Sequence, residues 1–416
     1  MNRSGKAGEL AKAQMVRQQA GQRGRVRVGW VLLLFTLLLP AALTAQNKQR
    51  VVRDGYGWVQ ENTGPLGSEK SLQVTRFVGS VQVVAGAHSG SYLLRLHSEE
   101  PLEEDARKQF ADYHLGVGRR SGQVLIQTVG PIDMAVRAEL ILQLPLGAEA
   151  VHVDTLAGKI TIQGEVDHLD LQTHGGDIEL DDAQLLRAVT MGGSVTVNHR
   201  VGDSFIRTGG GDIRVDASVG DLEIASLGGN IRLKAIARGQ VQSGGGNIEV
   251  VRCMGSLTVR TAGGNINLGE MDGQVTAETG GGNIRIGVAH GEVVASTALG
   301  NIELWKLSEG ADAHTGMGRI TAEFVGDRNS MRNSELVTSM GDIVVYFAET
   351  VPGNVHAVSG RCPSRHILSD FPELKISKGV AEYGPRSIAA EGAIHGGGPV
   401  IEMRTMVGQI ELRNAR

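Results

Sequence analysis

Four carboxylates, Glu179, Asp212, Glu249 and Glu303, recur on what reads as one outward face. Sugar-cleaving enzymes work with two carboxylates held at a fixed separation across the glycosidic bond. Here Arg214, Arg232 and Arg285 stand between the acids, and no close pair follows from the spacing. The face therefore reads as solvated. Calcium is the second chemistry to weigh. Stacked nonapeptides of the form Gly-Gly-x-Gly-x-Asp-x-apolar-x bind it in their turns. A period of nine is present, but the turn positions are mainly Asn, with Asp only at Asp177, Asp212 and Asp342. Neutral amides lack the charge that a hard cation needs, so an amide ladder is expected instead. The 12 His are scattered, with no His-Glu-x-x-His and no Cys-x-x-Cys to hold zinc. Gly209-Gly-Gly211 and Gly244-Gly-Gly246 look like phosphate loops, but no Lys-Ser/Thr and no helix follow them. No Gly-x-Ser-x-Gly elbow is present. Aromatic platforms for sugar are limited to Tyr56, Trp58, Trp305, Tyr346 and Phe347, which form no repeated stripe. No catalytic residue, metal site or cofactor is expected.

The elements that carry these residues come from a repeat. Ser/Thr-x-x-Gly-x-Ile/Val recurs twelve times, starting at Thr155, Thr173, Thr190, Thr208, Ser226, Ser243, Thr261, Thr279, Thr297, Thr315, Thr338 and Thr405. The first ten copies lie 17 or 18 residues apart, the next gap is 23 and the last is 67. The glycines include Gly211, Gly229, Gly246, Gly264, Gly282 and Gly300, and each is followed two residues later by Ile or Val. A second short apolar stretch lies between copies, as in Gly220-Asp-Leu-Glu-Ile224 and Gly255-Ser-Leu-Thr-Val259. Alternating apolar residues put one face of each stretch inward.

Such a unit cannot bury its apolar face alone, but it can do so by stacking on the next. The expected fold is all-β: a single-stranded β-helix or β-solenoid with about 18 residues and two short strands per coil. The glycines are expected in tight turns that need positive φ and close backbone approach. Asn230, Asn247, Asn265, Asn283 and Asn301 share one coil position and are expected to hydrogen-bond amide to amide along the stack. Thr208, Ser226, Ser243, Thr261, Thr279 and Thr297 are expected to form a second such ladder. A thin interior should exclude large rings, which accounts for 15 aromatics in 416 residues.

Composition sets the class and the compartment. Gly makes up 59 residues, about twice ordinary usage. Collagen would need it at every third position, and a disordered chain would be less apolar than 41%. Seven basic residues and one acid occupy positions 1–27, an apolar run follows from 28 to 39, and small residues reach Ala45. This is the pattern of a secretory signal cleaved after Ala45. An uncleaved membrane anchor over 28–45 is the alternative. Without residues 1–45 the chain has 34 basic (41 − 7) and 44 acidic (45 − 1) residues, a net charge of −10. Such an acidic chain is a poor partner for nucleic acid. Cys253 and Cys362 are read as core thiols or as a pair in an oxidising compartment.

The domain reading is a signal or anchor over 1–45, a linker over 46–70, a β-rich cap over 71–150, solenoid repeats over 151–345, and a C-terminal cap with the last coil over 346–416. One helix is expected after Pro101, with Leu102, Ala106, Phe110 and Tyr113 on its buried face, capping the sheet.

The Gly-Asn-Ile-x-Leu coils resemble the bacterial putative-adhesin family, an exported β-solenoid domain of unknown function. Ser369-Asp-Phe-Pro372, Gly396-Gly-Gly-Pro-Val-Ile401 and Thr405-Met-Val-Gly-Gln-Ile410 strengthen the likeness, which covers about 71–416. It implies a β-solenoid in the periplasm, on the cell surface or secreted, and it brings no catalytic residues. The expected function is a non-enzymatic scaffold that presents a rigid binding surface to a surface glycan, an envelope component or another protein. A membrane-anchored envelope-stress or signalling accessory and a polysaccharide-active β-helix enzyme are the alternatives.

Overall fold

The computed structural model of the chain describes residues 50–55, 57–129, 135–360, 367–379 and 387–415. The expected leader or anchor, Tyr56 and Cys362 lie outside these residues. Among the described residues no helix is long and apolar enough to cross a membrane.

Alternation of apolar and polar residues makes strands with one buried face. In the strand Ile248–Cys253, Ile248, Val250 and Cys253 are buried while Val251 and Arg252 face water. Strands then stack in parallel and in register, like on like. Ile231, Ile248, Ile266, Ile284, Ile302, Ile320, Ile343 and Ile410 form one continuous pile. Leu257, Val275, Val293 and Ala311 form part of a second, on the other half of each repeat. The result is a long, mostly parallel, solenoid-like sheet around one apolar core.

Two short strands per repeat hold only from Ile248 onward. Earlier, the strands Ile160–Thr173, Ile178–Thr190, Val195–Thr208, Ile213–Ser226 and Ile231–Ser243 run through both halves. Gly220-Asp-Leu-Glu-Ile224 is therefore the end of a longer strand. The corner is taken by a register slip between Ser218 and Asp221, after which the ladder resumes.

Both ends depart from chain order. Strands Ser71–Val78 and Ser80–Ala87 lie on Ala148–Ala157 and the start of Ile160–Thr173. Outside them come Gln123–Val129 and Val136–Pro145, and then the antiparallel strands Gly90–Ser98, Gly57–Gly67 and Val51–Asp54. The expected linker over 46–70 is thus corrected within its described part. Its residues cover the edge of Gly90–Ser98 and bury Gln60 and Leu66. The helix Glu103–Ala111 buries Ala106 and Phe110. Tyr113 follows, its hydroxyl donating to the Val78 carbonyl at 3.2 Å and its ring meeting Phe77 edge-on. Leu102 sits at the helix N-cap and is exposed, so it does not join that face.

At the other end the chain leaves Ile343–Phe347 and builds Gly353–Ser359, which pairs antiparallel with Ile388–Ile394, itself antiparallel to Lys375–Lys378. It then returns. Val400–Val407 pairs with Ser334–Met340 on one side and with Gly353–Ser359 on the other. The last repeat in sequence lies inside the stack, not at its end.

Large rings are not excluded from the core, as the sequence led us to expect. Phe77 and Phe110 are buried near one end, and Phe324 and Phe347 near the other, stacked at 5.8 Å. The narrow repeats between them bury no aromatic side chain. From 160 to 320 the only rings are Phe205 and Trp305, and both are half-exposed.

Candidate binding face

Three columns run along the stack and account for most of the repeated polar residues. In the first, each Ser/Thr hydroxyl donates to the column glycine carbonyl one repeat back. The distances run from 2.7 to 3.3 Å across all twelve copies. From Thr173 to Thr297 the same oxygen accepts the N–H of its own glycine three residues on. The expected hydroxyl-to-hydroxyl ladder is therefore a hydroxyl-to-backbone one, because these side chains are buried beside carbonyls that need donors.

In the second column the glycines stack directly. From Gly158 to Gly408, a Cβ on any of the twelve would collide with the carbonyl of the preceding one. Positive φ is not the general reason for glycine here. Only Gly158, Gly318 and Gly341 carry it, at 118°, 159° and 155°, and the last two are nearly extended. Close backbone approach is the requirement. Gly79 heads the column, with Thr155 donating to its carbonyl. It falls outside the Ser/Thr-x-x-Gly pattern because Arg76 occupies the Ser/Thr position.

In the third column the amide oxygens of Asn230, Asn247, Asn265, Asn283 and Asn301 each accept the backbone N–H one repeat on, at 2.8–3.0 Å. The amide-to-amide expectation is corrected: the partner is backbone. Asp177, Asp212 and Asp342 accept in the same way at 2.7–2.9 Å, which explains these acids without a cation. Asp212 thus belongs to this column and not to the outward strand row.

The other outward carboxylates are each met by a base. Glu179 lies 2.5 Å from Lys159, whose hydrogen bond holds it below the usual carboxylate range. Glu249 pairs with Arg232 at 2.8 Å and Glu303 with Arg285 at 3.8 Å. Glu270, Asp272 and His290 come together in a set that could hold a metal, yet Arg252 already lies against both carboxylates at 3.5 and 3.2 Å. Of the expected aromatics, Phe347 is buried, Trp58 faces Arg53, and Trp305 and Tyr346 stack on each other at 6.3 Å. Cys253 is a buried core thiol, and burial pushes its pKa up.

The outward rows form a depression of about 500 Å³ on the faces of Ala148–Ala157 through Ile213–Ser226. His152, Asp170, Arg187, Phe205 and Glu223 stand in register across five strands. His152 Nδ1 lies 3.1 Å from one Asp170 oxygen, and Arg187 donates to the other at 3.1 Å. The Arg187 guanidinium lies 6.0 Å from the Phe205 ring centre. Leu185 is exposed in the neighbouring row, bounded by Asp203 and Asp221. The arrangement is an apolar plate ringed by acids, with Arg187 and two histidines, His152 and His168, among them. It offers stacking to a flat ligand and acceptors to its hydroxyls. Asp170 is held on both sides, by His152 and Arg187. Sequence reasoning missed Phe205 because a single aromatic in a row leaves no periodic signal.

Fold and face together define a repeat-built, mostly β protein with a solenoid-like core and an outward depression. No family model and no curated protein matches the chain. Among solved structures, those to which it is similar over most of its length include three bacterial proteins. A "putative adhesin" from Bacteroides fragilis NCTC 9343 has 11% identity, covers 86% of this chain and 97% of its own, and has a TM-score of 0.18. A "putative cell adhesion protein" from Clostridium sporogenes ATCC 15579 has 8% identity, 86% and 100% coverage, and a TM-score of 0.16. A "putative lipid binding protein" from Parabacteroides distasonis ATCC 8503 has 13% identity, 70% and 96% coverage, and a TM-score of 0.24. At these scores the likenesses carry no weight for function, which rests on the chain's own residues.

Proposed function

We propose that the chain is an exported, non-enzymatic, adhesin-like β-solenoid of about 18 residues per coil that presents a rigid binding surface. The Phe205 plate is the main contact and a glycan of the cell envelope its ligand. The observation that carries this reading is the Leu185, Arg187 and Phe205 surface bordered by carboxylates, on a scaffold whose repeated polar residues are already engaged within the core and turns. Sugar rings present apolar C–H faces and hydroxyl edges, and the plate matches both. Stacked strands fix the row geometry, so little ordering is left to pay for on binding. The basic-then-apolar leader supports export.

Binding of the purified chain to a panel of envelope polysaccharides and to whole cells tests this. Saturable binding that Phe205→Ala weakens supports it. Absence of binding across the panel, or turnover of a polysaccharide, counts against it. A mature chain that starts at Gln46 by mass spectrometry supports release over anchoring.

A further inference from the structure

Two residues beyond each column Ser/Thr, the turn carries Ala157 and then Gly175, Gly192, Gly210, Gly228, Gly245, Gly263 and Gly281. A Cβ at six of these glycines would meet nothing within 4 Å, and at Gly192 only the Gly175 carbonyl at 4.0 Å. The turn therefore accepts a side chain without strain, and that side chain points into water. In the last four coils the same position holds Leu299, Met317, Met340 and Val407, which are 58, 44, 50 and 49% exposed. Met317 is in register with Met340, and Met340 with Val407, so they stand in one file along the edge. Met406 beside them is also exposed. The core gains nothing from this file. Contiguous exposed apolar residues mark interaction sites, and methionine adapts readily to an apolar partner.

We propose that this file joins two copies of the chain, edge to edge and antiparallel, about a two-fold axis between Met317 and Met340. Rungs repeat at one strand spacing, about 4.8 Å, so two files can interdigitate. The rotation sets Leu299 against Val407 of the second copy, and Met317 against its Met340. It also sets the flanking column on the glycine side against itself in reverse. Asn301 then faces Gln409. Arg319 and Asp342, which already pair within each chain at 3.3 Å, meet the same pair reversed, so each charge faces its opposite across the axis. A parallel arrangement would instead oppose that column to Ser296, His314, Val337 and Arg404, which offer Arg319 no acid. Charge matching thus selects the antiparallel form. The contact is smaller than a standard interface, so the dimer is reversible. It does not depend on the Phe205 reading.

Sedimentation velocity over a range of chain concentrations tests the proposal. A monomer–dimer equilibrium is expected, weakened at least about tenfold by Met317→Gly with Met340→Gly. Glycine is the control for folding, since the same turn carries it in seven other coils. Orientation is read by oxidising an equimolar mixture of Leu299→Cys and Val407→Cys chains, each also carrying Cys362→Ser. Cross-linking between the two variants is expected, with little within either alone. A chain that stays monomeric at every concentration overturns the proposal. So does a dimer untouched by the double glycine variant, or cross-linking of Leu299→Cys to itself.

Discussion

The Thr208 hydroxyl donates to the Gly193 carbonyl at 2.7 Å and accepts the Gly211 N–H at 3.2 Å, joining two repeats through one buried oxygen. Thr208→Val leaves both backbone groups without this partner. The expected loss is about 1–3 kcal/mol of unfolding free energy in urea. Thr208→Ser should cost much less, because Ser226 and Ser243 perform the same task in the neighbouring repeats.

Adjacent glycines should behave in opposite ways. Gly229→Ala drives a methyl into the Gly211 carbonyl and should cost at least about 3 kcal/mol. Gly228→Ala meets open space and should stay within about 0.5 kcal/mol of the parent. Equilibrium unfolding of the two variants side by side checks the pair.

The inserted final repeat predicts a truncation effect out of proportion to its length. Deleting 400–416 unpairs Ser334–Met340 from Val400–Val407, and Gly353–Ser359 loses its parallel neighbour. The cap strands should then become substrates in limited proteolysis, with new cleavage between 348 and 399. A cap that survives the deletion intact would mean it holds on by other contacts.

Burial pushes the Tyr113 hydroxyl up to about 12 from an ordinary value of 10.0. The folded state therefore favours the neutral phenol more than the unfolded state does. Its contribution is complete below pH 10 and is lost as the pH rises toward 12. Thermal melts should fall across that window, and the fall should be shallower in Tyr113→Phe. Ultraviolet titration of tyrosinate locates the transition.

Much of this fold could be read from residues because the constraint repeats. A glycine that must lie under the next glycine recurs in every coil, and so does the hydroxyl that binds its carbonyl. What could not be read are the features that occur once. Nothing in the period places Val400–Val407 between Ser334–Met340 and Gly353–Ser359, since pairing across a 67-residue gap leaves no local mark. Gly79 was hidden by Arg76, and the depression around Phe205 by the ring's standing alone. The reasons assigned to the columns needed coordinates too. Periodicity shows that Asn247 has a fixed place, but not that its oxygen serves the Asn265 N–H.

The most direct test of the central claim is equilibrium binding of the parent chain and Phe205→Ala to purified envelope polysaccharide, with released reducing ends assayed in the same samples. The account predicts saturable binding by the parent, at least about tenfold weaker binding by Phe205→Ala, and no release of reducing ends. No binding, equal binding by both chains, or cleavage of the polysaccharide would contradict it.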